Sequence, residues 1–559
     1  MVGSHLIAFG ALLLGAVTAA DPVVTTSYGK LLGTTSPYRP NIDVFKGIPF
    51  ARPPVGELRW RAPEKPRRWH GLRNATEFGA ECPQFQSNSR PGFNSPLAPA
   101  PNVSIAEDCL YLNVWTPSSS GSRLEDRNLP VYLWYYGGRF TGGSGAVPAY
   151  DGSGLASKDV VVVTVNYRTG PFGFLAHPEL LAEDPNNSTG NYAVLDMQAA
   201  LRWVKDEIRA FGGNPDHITT GGQSSGSSCS LDMMFSPLSQ GLIAGAIAES
   251  GARAPHDPLT LSLATSYRNM SAALANGVKT AEAFNVSTIA EMRNLSMATL
   301  LTVLNENGDD FVGTQLQNVS NFMAPPEWRP VLDGYVLEYL DSEYGQALKF
   351  NHHAQVPILT GNNKDESGSG GGPNRGSGPS DPVAAYQAQA ELLFGPQNLT
   401  ARYLAEYPGS SAAEAANSSA RFGRDLSRVS TWQWAREWAA GGARAPVWTY
   451  YWTHAPPVPG NQGAFHGSEL YYVFNNVPYA NPTANWTATD FAIQDVMGEY
   501  WANYIKTGNP NGGNLTTWEP SCADQSTMTL GDGYGAIPLT EDEASFDLIE
   551  DWFSLLHEY

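Results

Sequence analysis

Residues 218–226, Ile-Thr-Thr-Gly-Gly-Gln-Ser-Ser-Gly, join a short apolar segment to the motif G-x-S-x-G. Glycines on both sides of Ser224 leave no Cβ to clash in a sharp turn between a strand and a helix, and such a turn exposes the hydroxyl. Residues 227–235 suit the helix, whose N-terminus would point at Ser224. The stretch therefore predicts a strand, a nucleophile and a helix in succession, and a glycine- and serine-rich turn without function is the alternative.

The segments around this motif alternate between strand and helix patterns. Two apolar, β-branched runs, Val131 to Trp134 and Val160 to Val165, predict strands buried on both faces. Between residues 193 and 211 the apolar residues recur at helical spacing, and a turn is predicted at Gly212 to Pro215. This order predicts a doubly wound α/β fold, with a mostly parallel sheet flanked by helices. The glycine- and serine-rich residues 367–380 are interpreted as a surface loop.

A serine nucleophile requires a base, a carboxylate that orients the base, and hydrogen-bond donors for the oxyanion. The segment 136–140, Tyr-Gly-Gly-Arg-Phe, follows a predicted strand, where a glycine-rich loop would present backbone N–H groups. In the chain order Ser, Asp/Glu, His, a predicted strand at 357–360 precedes Asp365 and Glu366, and a glycine-flanked histidine lies at His466. Spacing alone leaves His454 as an alternative to His466, and Asp365 as an alternative to Glu366.

Ten sequence blocks between about Lys46 and Trp518 resemble, in the same order, the type-B carboxylesterases of the α/β-hydrolase superfamily, which include cholinesterases and fungal lipases. The blocks are Phe45 to Ala51, Glu107 to Val114, Asn166-Tyr167-Arg168, Ala200 to Val204, Phe211 to Pro215, Asp333-Gly334, Asn363 to Glu366, His466-Gly467, Trp501 and Thr507 to Pro510. The resemblance, to the fungal secreted type, implies an α/β-hydrolase fold with large loop insertions over the active site. It also implies that residues 21–559 form a single domain, although length alone suggests about three or four.

The resemblance implies a role for each residue of a catalytic triad. Ser224 would be the nucleophile, His466 the general base and acid, and Glu366 the carboxylate that orients it. The small-molecule substrate would be an ester, hydrolysed through an acyl-enzyme without a cofactor or metal. A lipase or sterol esterase, and an acyltransferase or transesterase, would use the same triad, whereas a non-catalytic adhesion homologue would lack an intact one.

The resemblance also implies the oxyanion donors and one disulfide. The donors would be the backbone N–H groups of Gly138, Arg139 and Ser225, and the bridge would join Cys82 to Cys109. Cys229 is interpreted as a small buried apolar residue rather than as the partner of Cys522.

Three departures from the family bear on the substrate. Arg139 stands where the family usually has a third glycine, so it either recognises an anionic or oxygenated substrate or points away into solvent or an ion pair. Residues 367–372 contain no aromatic side chain, although the family often has aromatics there that wall the pocket. The segment between Cys82 and Cys109 has no Trp or Tyr and is short, so neither choline specificity nor a triglyceride lid is expected.

Composition and the N-terminus indicate the class and location of the protein. Of the 559 residues 42% are hydrophobic and 16% charged, which excludes a disordered chain. The formal net charge of −20 argues against binding of nucleic acid or anionic lipid. The apolar run Leu6 to Val17, followed by Thr18-Ala19-Ala20, predicts a signal peptide over residues 1–20. The mature protein is therefore expected to be secreted and extracellular, with no stable membrane anchor.

Asparagine sequons agree with the secretory route. N-x-S/T triplets without proline begin at Asn74, Asn102, Asn186, Asn187, Asn269, Asn285, Asn294, Asn318, Asn398, Asn417, Asn485 and Asn514. We interpret most of them as surface positions and candidate glycosylation sites.

Overall fold

A computed structural model describes residues 21–85, 103–118, 123–258, 267–313, 325–337, 355–366, 381–459, 463–521 and 524–556. Several sequence predictions lie outside these ranges. They are the signal peptide at 1–20, the sequons Asn102 and Asn318, Cys522, and the loop at 367–380.

The described strands form one large sheet and two small ones. In chain order they are β1 (Val23–Thr26), β2 (Gly29–Leu32), β3 (Thr34–Thr35), β4 (Ile42–Pro49), β5 (Leu72–Asn74), β6 (Tyr111–Pro117), β7 (Leu129–Tyr135), β8 (Val161–Val165), β9 (Gly213–Gln223), β10 (Gly245–Glu249), β11 (Arg268–Asn269), β12 (Val331–Leu332), β13 (Ile358–Asn363), β14 (Val447–Trp452), β15 (Ser526–Leu530) and β16 (Gly535–Pro538). The large sheet has eleven strands in the order β16-β15-β14-β13-β10-β9-β7-β8-β6-β4-β3.

The middle of this sheet is parallel. The seven strands from β15 to β8 in that order pair in parallel, whereas the strands at both margins pair antiparallel. Strands β8, β10, β13 and β14 are buried along their whole length, whereas β7 and β9 are continuously buried only in their carboxyl-terminal parts. Because parallel strands all end at one edge, the loops after β7, β9, β10 and β13 meet at the carboxyl edge of the sheet, where ligands bind in open α/β folds.

Helices flank the sheet. They are α1 (Ser153–Ala156), α2 (Gly170–Phe174), α3 (Pro178–Glu183), α4 (Tyr192–Glu207), α5 (Ser225–Phe235), α6 (Met270–Ala283), α7 (Ile289–Arg293), α8 (Met297–Leu300), α9 (Pro382–Phe394), α10 (Thr400–Glu406), α11 (Ala412–Ala440), α12 (Leu470–Val473), α13 (Val477–Ala480), α14 (Ala488–Thr507) and α15 (Glu543–Ser554). Helix α14 shows clear local signals, since Thr487 and Asp490 form a capping box and Gly508 ends the helix with a left-handed φ of 71°. None of the helices in the described ranges has the length and apolarity that a membrane crossing requires.

The predicted α/β architecture is confirmed. Among the strands whose boundaries differ from the predictions are β9 and β13, which both lead to the site. The turn predicted at Gly212 to Pro215 is wrong beyond its first residue, because β9 begins at Gly213, which pairs with Leu129 of β7. The strand predicted at 357–360 continues to Asn363, paired with Trp452 of β14. In both cases a neighbouring strand extends a segment whose own residues favour a turn.

Candidate active site

Ser224 occupies the sharp turn between β9 and α5. Its backbone has φ 59° and ψ −128°, an unfavourable conformation for a residue with a side chain. The flanking glycines make the turn possible: a Cβ on Gly222 would lie 2.0 Å from the Gly226 carbonyl oxygen, and a Cβ on Gly226 would lie 2.2 Å from that of Tyr135. The Ser224 N–H donates to the Glu249 carbonyl at 2.9 Å. The serine therefore sits at the carboxyl edge of the sheet, as the motif predicts.

The glycine-rich loop after β7 lies against this turn. A Cβ on Gly137 would be only 3.1 Å from Ser224 Cβ, and Gly138 has φ 126°, which favours glycine. The Phe140 N–H donates to Ser225 Oγ at 3.3 Å, so the loop is bound directly to the start of α5. The structure thus brings together the segments that carry the three predicted oxyanion donors.

Two sets of contacts missed by the sequence analysis brace this loop. Tyr136 and Tyr167 stack with ring centroids 4.2 Å apart, and each hydroxyl donates to the other residue's carbonyl. The Gln84 amide donates to the Gly143 carbonyl at 2.8 Å and accepts from its N–H at 2.9 Å. Gln84 lies two residues after Cys82, so the start of the disulfide loop is tied to the oxyanion loop.

The structure distinguishes between the two candidate carboxylates. Glu366 Oε2 contacts Nδ1 of His466, and the neighbouring Asp365 instead binds Arg424 at 2.7 Å and the Ala464 N–H at 3.0 Å. Asp365 therefore fixes the loop that carries the histidine, whereas Glu366 holds the imidazole.

The alternative histidine lies in another environment. The ring nitrogens of His454 contact Asp532 at 2.5 Å and Asp490 at 3.1 Å, and Asp490 also accepts from Tyr472. Both nitrogens of His454 are thus engaged by carboxylates, so neither is available to take a proton from a nucleophile in this arrangement.

The second ring nitrogen of His466 contacts Gln223, the residue before Ser224. Nε2 of His466 lies 3.0 Å from the Gln223 side-chain nitrogen, which donates to the ring when the His466 proton is on Nδ1, facing Glu366. Within the described residues, Ser224 Oγ makes no hydrogen bond to His466, and such contacts commonly tighten only when substrate binds. Nε2 of His466, the nitrogen that would act as a base, thus faces the turn that carries Ser224.

The charges of His466 and Glu366 depend on each other. Burial lowers the pKa of His466, but the charge and hydrogen bond of Glu366 outweigh this and raise the pKa above its usual value. Burial raises the pKa of Glu366, but the charge and hydrogen bond of His466 lower it overall. The pair therefore stabilises an imidazolium beside an ionised carboxylate, the state that a proton transfer from serine would create.

The predicted disulfide is present, with the Cys82 and Cys109 Cα atoms 5.0 Å apart. Cys229 is free and buried, and its thiol contacts the Ser225 carbonyl at 3.1 Å, consistent with a small core residue. Across the described ranges, no group of three or more His, Cys, Asp and Glu side chains is arranged to hold a metal ion.

The sequons in the described ranges are all exposed. They are Asn74, Asn186, Asn187, Asn269, Asn285, Asn294, Asn398, Asn417, Asn485 and Asn514. Their occupancy stays a prediction.

The fold and this geometry define a hydrolase of the α/β class, and comparison with known proteins identifies the family. Residues 20–534 match the carboxylesterase family. The chain therefore belongs to that family and is a carboxylic ester hydrolase acting on small-molecule esters.

Several relatives are similar over most of their length. The chain is 34% identical to fumonisin B1 esterase of Sphingopyxis macrogoltabida, over 94% of this chain and 90% of that protein. It is 32% identical to para-nitrobenzyl esterase of Bacillus subtilis, over 91% of this chain and 94% of that protein. A solved structure of a PNB esterase superposes with a TM-score of 0.73 and 28% identity, covering 94% of this chain and 99% of that chain.

Proposed function

We propose that this esterase acts through a Ser224-His466-Glu366 triad and an acyl-enzyme intermediate. The observation that carries the proposal is the contact between Glu366 and Nδ1 of His466, while Nε2 of the same ring faces the nucleophile turn. Backbone N–H groups of Gly138, Arg139 and Ser225 would stabilise the oxyanion.

In the first step, Ser224 Oγ attacks the ester carbonyl carbon and its proton moves to His466 Nε2. The tetrahedral intermediate collapses as Nε2–H protonates the departing alkoxide, leaving an acyl-serine and a free alcohol. Water then gives a proton to Nε2 and attacks the acyl carbon. The second intermediate releases the carboxylic acid and restores the serine.

A fluorophosphonate label tests the nucleophile directly. We expect one label per chain, mapped to the peptide that contains Ser224, together with loss of esterase activity. Prior denaturation should prevent labelling, since the reactivity depends on the folded site. Stoichiometric labelling of another serine with Ser224 unmodified would contradict the proposal.

The raised pKa of His466 predicts the acidic limb of the pH profile. Only the neutral imidazole accepts the Ser224 proton, so kcat/KM should fall as pH drops through the pKa of His466. Because that pKa is raised, the midpoint should lie above about 6.5, the usual value for histidine. A profile of kcat/KM between pH 5 and 9 with a neutral ester checks this, and a midpoint well below 6.5 would contradict it.

Arg139 is expected to contribute little to discrimination between charged and neutral esters. Its guanidinium lies 3.4 Å from Asn307 Oδ1, and its φ of 57° suits glycine, so Arg139→Gly should preserve the backbone donor. We expect kcat/KM to change by the same factor, within about threefold, for an anionic and a neutral ester of equal chain length. A loss confined to the anionic ester would instead show that Arg139 recognises the substrate's charge.

We propose an esterase preference over the two alternatives that share the triad. A series of p-nitrophenyl esters of rising acyl length, below and above the micellar concentration, separates an esterase from a lipase or sterol esterase. A lipase would gain activity at the interface. An acyltransferase or transesterase would instead give a transfer product that grows with added alcohol and exceeds hydrolysis.

We also propose that the mature protein is secreted and glycosylated, as expected for the fungal secreted type. A disulfide between Cys82 and Cys109 suits an oxidising compartment, and the exposed sequons suit glycosylation. N-terminal sequencing of the extracellular protein should begin near Asp21, and removal of N-glycans should reduce its apparent mass.

A further inference from the structure

Two buried glutamates face each other beside the triad, and the proposed mechanism uses neither of them. Glu249 ends β10, Glu469 lies three residues after His466, and both side chains are fully buried. Their carboxyl groups are within hydrogen-bonding reach of each other.

Each of the two carboxyl groups has one oxygen bound by a neutral donor and one oxygen without a donor. Trp501 Nε1 donates to Glu249 Oε1 at 3.0 Å, and the Asn363 side-chain amide donates to Glu469 Oε2. The oxygens left over, Glu249 Oε2 and Glu469 Oε1, are buried and have no hydrogen-bond donor. Two carboxylate oxygens are both acceptors, so they can form a hydrogen bond with each other only when one of the carboxyl groups carries a proton.

The surroundings do not favour two negative charges. Within the described residues, neither glutamate has an ion pair with arginine or lysine. The titratable groups that act on the two carboxyls are Glu366, His466, Tyr132, Tyr150 and Tyr450. Burial and the mutual repulsion of the carboxyls raise the pKa of Glu249, and burial raises the pKa of Glu469 despite the Asn363 hydrogen bond.

The pair also joins the two halves of the site. The Glu249 backbone carbonyl accepts from the N–H of Ser224, while its side chain meets Glu469. Asn363, bound to Glu469, donates to the Phe465 carbonyl at 2.7 Å, and its backbone N–H donates to Glu366 Oε1 at 2.9 Å. Hydrogen bonds therefore join Glu249 to the turn at Ser224 and Glu469 to the residues around His466, and the two carboxyls lie between these two sets.

We infer that Glu249 and Glu469 hold one shared proton, and that this carboxylic acid and carboxylate pair positions the nucleophile turn relative to the histidine loop. The pair therefore carries one negative charge. It acts through Asn363 and the backbone, so both glutamates are positioning residues. The inference deepens the proposed triad and rests on it for the role of His466.

The pKa of His466 reports the charge of the pair, because the negative charge of Glu469 raises that pKa. Glu249→Gln or Glu469→Gln removes the shared proton together with one carboxylate, keeps both outer hydrogen bonds, and leaves one negative charge. We expect each single variant to keep the acidic limb of kcat/KM within about 0.3 pH unit of wild type. The double variant removes the remaining charge and should shift the midpoint of the acidic limb to lower pH by at least about 0.5 pH unit.

The other outcomes overturn the inference. If each single variant moves the limb to lower pH by about half the shift of the double variant, both glutamates are ionised in the wild type, because each substitution then removes one charge. If each single variant shifts the limb as far as the double variant does, the remaining glutamate is neutral, and the single negative charge does not survive loss of the partner. If the double variant leaves the limb unmoved, the pair carries no charge.

The positioning role is tested by removing the hydrogen bond between Asn363 and Glu469. Glu469→Met cannot accept from Asn363 and should lower kcat at least about tenfold with KM unchanged, whereas Glu469→Gln should stay within about threefold. Equal kcat values for the two variants would overturn the positioning role. If Glu469→Met does not fold, the same comparison is made with Glu249→Met and Glu249→Gln.

A stability readout keeps the shared proton testable if the triad assignment fails. When folding raises the pKa of a carboxyl group, the folded protein loses stability as the pH rises from the pKa of that group in the unfolded chain to its pKa in the folded protein. The Tm of the wild type should therefore fall relative to that of Glu469→Gln between pH 5 and 8, by about 2 °C. A constant difference in Tm would overturn the shared proton, whichever residue proves to be the base.

Discussion

Replacing Ser224 with alanine is expected to lower kcat by about 10⁶-fold, because no other group at the turn can form the acyl-enzyme. Ser224 is held in a strained conformation by Gly222 and Gly226, which have no room for a Cβ, so the turn serves to present this hydroxyl. The variant should fold normally, since alanine fits the same backbone. Steady-state hydrolysis of p-nitrophenyl acetate gives the measurement.

Ser228→Ala is the matched control for this substitution. Ser228 lies in α5, the helix that follows the turn, is fully buried, and its hydroxyl has no hydrogen-bond partner among the described residues. Its removal should leave kcat within about twofold of wild type. Wild-type hydrolysis by the Ser224→Ala variant would refute the triad, and a large loss in Ser228→Ala would show that the turn tolerates no change at all.

The nucleophile turn was predictable because its chemistry is local. A glycine pair around a serine, an apolar strand before it and a helical pattern after it lie within twenty residues, and each has a steric reason. The strands were also predictable, because their burial requires continuous apolar runs such as Val161–Val165.

The choice between neighbouring carboxylates was not predictable from spacing. Asp365 and Glu366 differ only in which distant residue each meets: Arg424 of α11 in one case and His466 in the other. The motif resemblance favoured Glu366, but the physical reason appears only once helix α11 is packed beside β13.

The residues that brace the site were missed for the same reason. Gln84, Gln223, Glu249 and Glu469 have no local signal, because each acts on a backbone or side chain far along the chain. Gln223 is 243 positions from the histidine that it contacts. A buried glutamate is unusual enough to be a useful signal, but its burial is visible only in the folded chain.

Glu366→Gln is expected to lower kcat by about 10⁴-fold while leaving KM nearly unchanged. The amide preserves the size of the side chain but removes the charge that stabilises the imidazolium, and it no longer enforces a proton on Nδ1. Since Glu366 raises the pKa of His466, the residual activity should also show its acidic limb at lower pH than wild type. Measurements of kcat/KM from pH 5 to 9 test both effects.

Asp365→Asn provides the comparison that makes this prediction specific. Asp365 carries the same charge one residue earlier and holds Arg424 and the Ala464 backbone, but does not contact the imidazole. Its loss should loosen the histidine loop and cost less than about tenfold in kcat, without a shift of the acidic limb. If Asp365→Asn were the more damaging variant and moved the limb, the orienting carboxylate would be Asp365. The contact between Glu366 and His466 would then describe a resting arrangement that the reaction does not use.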